Sequence, residues 1–209
     1  MTTCPSDPEI TLDENHIYRV DGIRKPSVSA ILQSTGIVDT TFFTEYGATR
    51  GTFAHKATEL HDLGDLNEDD LDKTLLPYLE AWKRYRAESG FVPSMIEKKL
   101  YSRLGFCGTI DRFGQDNSGS YILPDIKTGY ASQWWHVIQL AAYRLLVGEA
   151  VGHMMKVLIV HLHPNGKYKL QPYTMQELVQ GQFNFMSALR IVSARINAGV
   201  FWRKDDEKV

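Results

Sequence analysis

Asp125 and Lys127 stand two residues apart in the run Ser120 to Lys127, which reads as a strand. A period of two sends both side chains out of one face of a sheet. The run Gly105 to Gly114 precedes it across Gln115-Asp116-Asn117-Ser118-Gly119, a strong hairpin turn, so Asp111 comes beside them. Glu97, in the run Met95 to Ser102, adds an acid from the strand before that. Three carboxylates and one lysine on a single face are costly for a purely structural ion-pair cluster. A hard divalent cation makes the arrangement favourable, because Mg²⁺ takes oxygen ligands and keeps some of its waters. The backbone carbonyl of Ile126, on the same edge, offers a further oxygen.

The elements that must position these groups are legible on either side. Ile10 to Val20 reads as a hairpin around Asp13-Glu14-Asn15, and Ser27 to Gln33, after Pro26, as a short helix capped by Ser27. Gly47 to Leu63 and Thr74 to Glu88 read as two further helices. Asp62 to Asp72 between them holds six acids and no base. Asp65, Asn67 and Asp69 have the opening spacing of a calcium loop, but Asp70 stands where glycine is needed and Leu76 where the glutamate is needed. The run is therefore read as a solvated acidic connection that points away from any polyanion. After the three strands, Ser132 is placed to cap a helix to about Glu149. Lys156 to His163 and Tyr168 to Tyr173 pair across Pro164-Asn165-Gly166. Thr174 with Glu177 forms a capping box opening a helix to about Asn197. A mixed α/β sheet flanked by helices follows.

Gly108-Thr109-Ile110-Asp111, then Asp125-Ile126-Lys127-Thr128-Gly129, then Gln139-Leu140-Ala141-Ala142-Tyr143 resembles the PD-(D/E)XK nuclease superfamily, and within it the RecB-type and phage-type exonuclease branch. That branch adds an upstream histidine, matched by His55 in Arg50-Gly51-Thr52-Phe53-Ala54-His55, and the Gln-x-x-x-Tyr helix motif matched by Gln139 and Tyr143. The likeness covers about residues 47 to 147. It implies a restriction-endonuclease-like αβββαβ core (about 74–163) inside one nuclease domain, 1–209. The N-terminal hairpin and helices, and a C-terminal hairpin strand plus helix, would be additions. It also implies that His55, Asp111, Asp125 and the Ile126 carbonyl bind Mg²⁺ or Mn²⁺. Lys127 would orient the attacking water or neutralise the transition state, and Glu97 would support a second metal or a bound water. Gln139 and Tyr143 would contact the DNA backbone or brace the lysine, with Arg50, Trp134 and Trp135 as further DNA-binding or supporting groups. The implied activity is phosphodiester hydrolysis in DNA, by an exonuclease acting on linear ends in phage recombination or repair, with an annealing or recombination protein as a possible partner. A structure-specific endonuclease on the same core and a non-catalytic nucleic-acid-binding module are the alternatives.

Composition agrees with a globular chain. It has 209 residues, 43% of them hydrophobic and 23% charged, and a formal net charge of −2. This balance excludes bulk-charge coating of nucleic acid but leaves room for a local basic groove, for which Lys83, Arg84, Arg86, Lys98, Lys99 and Arg103 are the candidates. Two cysteines, Cys4 and Cys107, suit reduced thiols in a cytoplasm, bacterial or phage-infected, and are too few for an iron–sulfur cluster. No run reaches the roughly 20 apolar residues of a membrane span. Lys127-Thr128-Gly129 also matches a penicillin-binding triplet, but its companion motifs are missing. His161 and His163 share a strand face with no third ligand nearby, which suits a surface role.

Overall fold

The computed structural model of the chain describes residues 8–39, 44–129, 133–152 and 154–202. Strands β1 (Ile10–Leu12), β2 (Tyr18–Val20) and β3 (Ile23–Lys25) form a small antiparallel sheet in that order. The expected hairpin thus gains a third strand. Its turn is Asp21-Gly22, with both residues at positive φ (49° and 78°), which is the mirror-image turn that Asp-Gly favours. Helix α1 (Val28–Ser34) follows, and the Ser27 hydroxyl accepts the Ala30 N–H at 3.1 Å as the sequence suggests.

Helix α2 (Glu45–Leu63) begins two residues earlier than expected because Thr44 caps it by accepting from the Gly47 amide. Gly64, in the left-handed conformation, ends it. A short 3-10 turn (Glu68–Asp70) leads to α3 (Leu76–Ser89). The main sheet then runs β4 (Val92–Ser102), β5 (Phe106–Gln115), β6 (Tyr121–Lys127), β7 (Lys156–Leu162) and β8 (Tyr168–Tyr173), hydrogen-bonded in that order. Only β6 and β7 are parallel, and helix α4 (His136–Val151) makes the crossover that a parallel pair requires. The expected cap Ser132 lies outside the described residues; the helix itself starts at His136, with no side-chain cap at Trp135. Helix α5 (Met175–Asn197) opens on the Thr174–Glu177 capping box.

Two apolar layers cover the sheet. Ile110, Leu123 and Ile159 pack with residues of α1, α4 and α5, while Ile122, Ile126, Leu158 and Val160 pack with α2 and α3. Among the described residues no helix is long and apolar enough to cross a membrane.

The feature that matters for the site is a fork. β5 and β6 pair only beside their turn, at Gly114 with Ile122 and Gln115 with Tyr121. Continuing that register would set Asp111 opposite Asp125, but there the ladder has ended. Two acids are thereby placed at the mouth of an opening in the sheet, where backbone N–H groups are free for side chains.

Candidate metal centre

Asp111 reaches across the fork. Its Oδ2 accepts the Ile126 N–H at 2.7 Å, replacing the absent ladder bond. On the other side of Ile126, its carbonyl accepts from His55 Nε2 at 3.0 Å. That bond makes Nε2 the donor and turns Nδ1 toward Asp111 Oδ1 at 3.6 Å and Glu97 Oε1 at 3.8 Å. His55, Glu97 and Asp111 each offer one ligand atom, all within 4.8 Å of one another. One nitrogen and carboxylate oxygens in a half-exposed cluster form a donor set that suits a hard or borderline divalent cation.

Glu97 is held there at a conformational cost. Its φ is +43°, in the left-handed region, which costs an ordinary side chain roughly 1–2 kcal/mol. It stands in register opposite Asp111, between the pairs Ile96–Arg112 and Lys98–Ile110. The twist aims its carboxylate at His55 and at Arg112, whose Nη1 donates to Oε1 at 2.8 Å.

Asp125 and Lys127 meet as their spacing requires, with Nζ 2.7 Å from Oδ2. Asp125 is buried and Lys127 half-buried. Burial works against the Lys127 ammonium, but Asp125, Asp111 and Glu97 outweigh it and hold its pKa above the ordinary value, so the charge persists. Gln139 and Tyr143 share a face of α4, and the Gln139 amide donates to the Tyr143 hydroxyl at 3.1 Å. Burial, then Asp125 and Asp111, push the Tyr143 phenol well up. Gly108 of the Gly-Thr-Ile-Asp run permits this approach, since a Cβ there would stand 2.8 Å from Leu146 and 3.1 Å from Tyr143. Arg50 lies half-buried between the rings of Tyr46 and Tyr78. Trp134 is 66% exposed, whereas Trp135 packs on the main core and edge-on against His136.

Three expectations need correction. Asp62 is no part of a solvated connection: it closes the last turn of α2 with its carboxylate fully buried. It accepts from Arg112 Nε at 2.6 Å, Arg86 Nη1 at 2.7 Å and Trp82 Nε1 at 3.0 Å. Arg86 therefore belongs to the interior, and Lys83 is paired with Glu68 and Glu80, so the supposed basic patch loses two of its cations. His161 is not a surface group either; it is buried, with ring nitrogens 2.8 Å from the Gly129 carbonyl and 3.0 Å from Gln171 Oε1.

The residues missed from sequence are Asp62 and Arg112. Arg112 is completely buried and bridges Asp62 to Glu97, with Thr58 as a further partner at 3.2 Å. His136, buried beside Lys127 and Asp125, was missed as well. Burial, then Lys127, lower its pKa to about 4, so it is neutral at physiological pH.

The sequence model of the PD-(D/E)XK nuclease superfamily matches residues 35–207. The chain belongs to this superfamily. As a PD-(D/E)XK protein it is a divalent-metal nuclease that acts on phosphodiester bonds. Among solved structures it is similar in fold to a protein from Eubacterium rectale designated a candidate exonuclease, at 12% identity over 84% of this chain and 82% of that one, with a TM-score of 0.51. The structure of SSO0001 matches at 13% identity over 77% of this chain and 83% of that one, with a TM-score of 0.30. No curated protein matches.

The His55 environment makes cation binding pH-dependent. Burial alone would lower its pKa, but Asp111 and Glu97 override it and raise the value to about 9. In the metal-free protein His55 is thus protonated at neutral pH, and a cation must expel that proton. Its contribution to metal-free stability is full below pH 6.5 and declines as pH rises toward 9, while cation affinity climbs across the same window. Calorimetry of Mn²⁺ binding at pH 7, in two buffers of different ionisation enthalpy, is expected to show release of close to one proton per cation. No proton release, or affinity flat from pH 6.5 to 9, would remove His55 from the ligand set.

Proposed function

We propose that the chain is a DNA exonuclease dependent on Mg²⁺ or Mn²⁺. The cation would be held by His55, Glu97 and Asp111, with Asp125 and the Ile126 carbonyl at the same fork. The observation that carries this reading is the convergence of the His55, Glu97 and Asp111 ligand atoms, with His55 and Asp111 hydrogen-bonded to Ile126, the residue before Lys127 on β6. When bound, the cation supplies Lewis-acid stabilisation of the charge that builds on the phosphoryl group.

The remaining work falls to side chains. Lys127 offers a compact, persistent positive charge to a non-bridging phosphate oxygen and to the attacking water, and Asp125 fixes where that charge sits. The water's oxygen bonds to phosphorus as the bond to the leaving sugar oxygen breaks; the water gives up one proton and the leaving oxygen takes one up, so the net proton transfer is from water to sugar. His55 holds the Ile126 segment while presenting Nδ1. Tyr143, whose oxygen already accepts from Gln139, keeps its own O–H to donate to the DNA backbone. Arg50 and the exposed Trp134 supply a cation and a stacking face for the strand. The exonuclease choice rests on the order of the motifs, and it is the activity designated for the Eubacterium rectale protein.

Matched linear and covalently closed circular DNA, with Mg²⁺, Mn²⁺ or EDTA, test the reading in wild type and Lys127→Ala. Metal-dependent loss of linear DNA alone, slowed in the variant by about 10²–10³-fold, is expected, as for removal of one charge-stabilising donor. Cutting of the closed circle would make the protein an endonuclease. DNA bound equally well in EDTA with neither form cut would make it a binding module.

A further inference from the structure

The outer face of α5 takes no part in the metal centre, and it is uncharged where a solvated helix would carry its charges. Leu178, Phe185, Leu189 and Val192 turn inward to the core. Gly181 lets the helix close on α4, since a Cβ there would stand 2.8 Å from the Val137 carbonyl. Between Glu177 and Arg190 the helix holds no Asp, Glu, Lys or Arg. Among the described residues it shows solvent a row at i+4 spacing: Val179 is 42% exposed, Phe183 65% and Ile191 55%, with exposed Ser187 completing the row. Large apolar groups aligned on an uncharged stretch mark a contact surface, whereas scattered ones do not.

The polar groups on this face are bonded within the helix. Ser187 Oγ donates to the Phe183 carbonyl at 3.0 Å, and Gln180 Nε2 donates to Asn184 Oδ1 at 3.3 Å. Covering the face leaves those bonds in place, so its desolvation is cheap. The row also has a two-fold pattern. About a midpoint at Phe185, Val179 corresponds to Ile191, Phe183 to Ser187 and Gln180 to Arg190. A second α5 laid antiparallel on the first therefore sets the Phe183 ring over the small Ser187. Its Ile191 meets Val179, at the edge of a groove of about 520 Å³ that Met175, Gln176 and Gln180 also line. Its Arg190 meets the Gln180 amide, one turn from Glu177. Large faces small and cation faces acceptor, and rows at i±4n are the ridges that interlock when two helices cross.

We propose that α5 is the seam of a symmetric dimer, its outer face covered by the same face of a second copy of this chain. Such a contact is self-complementary and closes at two. A lone crossing of two helices lies at the low end of specific interfaces, below roughly 1,200 Å² in all, so the dimer is reversible and forms at about micromolar concentrations. It joins two metal centres in one particle, and each centre stays complete on its own chain.

Sedimentation velocity of the full chain from about 1 to about 500 µM, a span that brackets such an equilibrium, is the test. The wild type passes from one chain to two across it. Phe183→Lys is expected to weaken the dimer by at least about tenfold, as loss of a central aromatic anchor does. The position is exposed, so the dilute variant keeps the wild-type urea midpoint and the wild-type hydrolysis of linear DNA. Gln180→Glu sets an acid against Arg190 of the second copy and should tighten the dimer by about two- to fivefold, a gain that Arg190→Ala in the same chain removes. A wild type that remains a single chain throughout overturns the dimer and leaves the face to a partner of other chemistry. A dimer indifferent to Phe183→Lys, an assembly larger than two, or a Gln180→Glu effect that persists without Arg190 overturns it as well. None of these readouts depends on hydrolysis, so the nuclease reading stands or falls separately.

Discussion

Arg112→Met is expected to destabilise the protein by about 3–5 kcal/mol, the usual result of removing one partner from a buried charge network. Arg112 has no solvent exposure and donates to Asp62, Glu97, Thr58 and its neighbouring Asp111 carbonyl. With its loss the Asp62 carboxylate, fully buried, is left among the described residues with Arg86 and Trp82. Glu97 loses the guanidinium that faces it while its backbone stays in the left-handed region. Methionine fills the space but satisfies neither acid. An exposed pair is the contrast: Lys56→Ala, which breaks the Lys56–Glu59 bridge on the surface of α2, should cost less than about 1 kcal/mol. Urea unfolding of the three proteins decides it. The Arg112 variant should also need more Mn²⁺ for half-saturation, since Glu97 is no longer aimed. A cost under about 1 kcal/mol with unchanged Mn²⁺ affinity would show that the network holds neither the fold nor the site.

That network also marks the limit of what the sequence discloses. Asp111, Asp125 and Lys127 are legible because strand alternation and one hairpin turn suffice to bring them together, and the observed Asp125–Lys127 contact at 2.7 Å follows directly. The Asp21-Gly22 turn and the Thr44 cap that starts α2 are likewise local signals, carried by the residues themselves. Asp62 was hidden by composition, because an acid at the head of an acidic run looks solvated. Its position carried a better signal: His55, Thr58 and Asp62 follow the i, i+3, i+7 spacing of one helical face, which makes a polar stripe aimed at the sheet. The partner of that stripe is Arg112, from β5, and no local rule pairs a helix face with a residue 50 positions away. The positive φ of Glu97 and the fork between β5 and β6 are likewise consequences of packing, with no local residue to announce them.

Asp111→Asn should separate stability from chemistry. Asparagine has the same shape, and its carbonyl oxygen can still accept the Ile126 N–H that Asp111 Oδ2 takes at 2.7 Å, so the fork keeps its closing bond. What disappears is one negative charge from a cluster that also holds Glu97 and Asp125. Without a cation, that removal relieves like-charge repulsion and also deprives His55 of its strongest ionic partner. The His55 pKa should then fall from about 9 toward its ordinary value, which NMR titration of the imidazole would follow. Stability near neutral pH should fall by at most about 3 kcal/mol, since the rise of His55 from 6.5 to about 9 is worth about 1.4 kcal/mol per unit and the repulsion relieved offsets part of it. Cation affinity, by contrast, should drop by about 10²-fold or more, and hydrolysis of linear DNA by at least about 10³-fold, because a ligand to the metal and its charge are both gone. A variant that binds Mn²⁺ as tightly as wild type while losing several kcal/mol of stability would make Asp111 a structural acid and move the metal centre elsewhere. The expected pattern, a well-folded protein without cation or activity and with a lowered His55 pKa, would instead mean that Asp111 is kept for the charge it brings to the site.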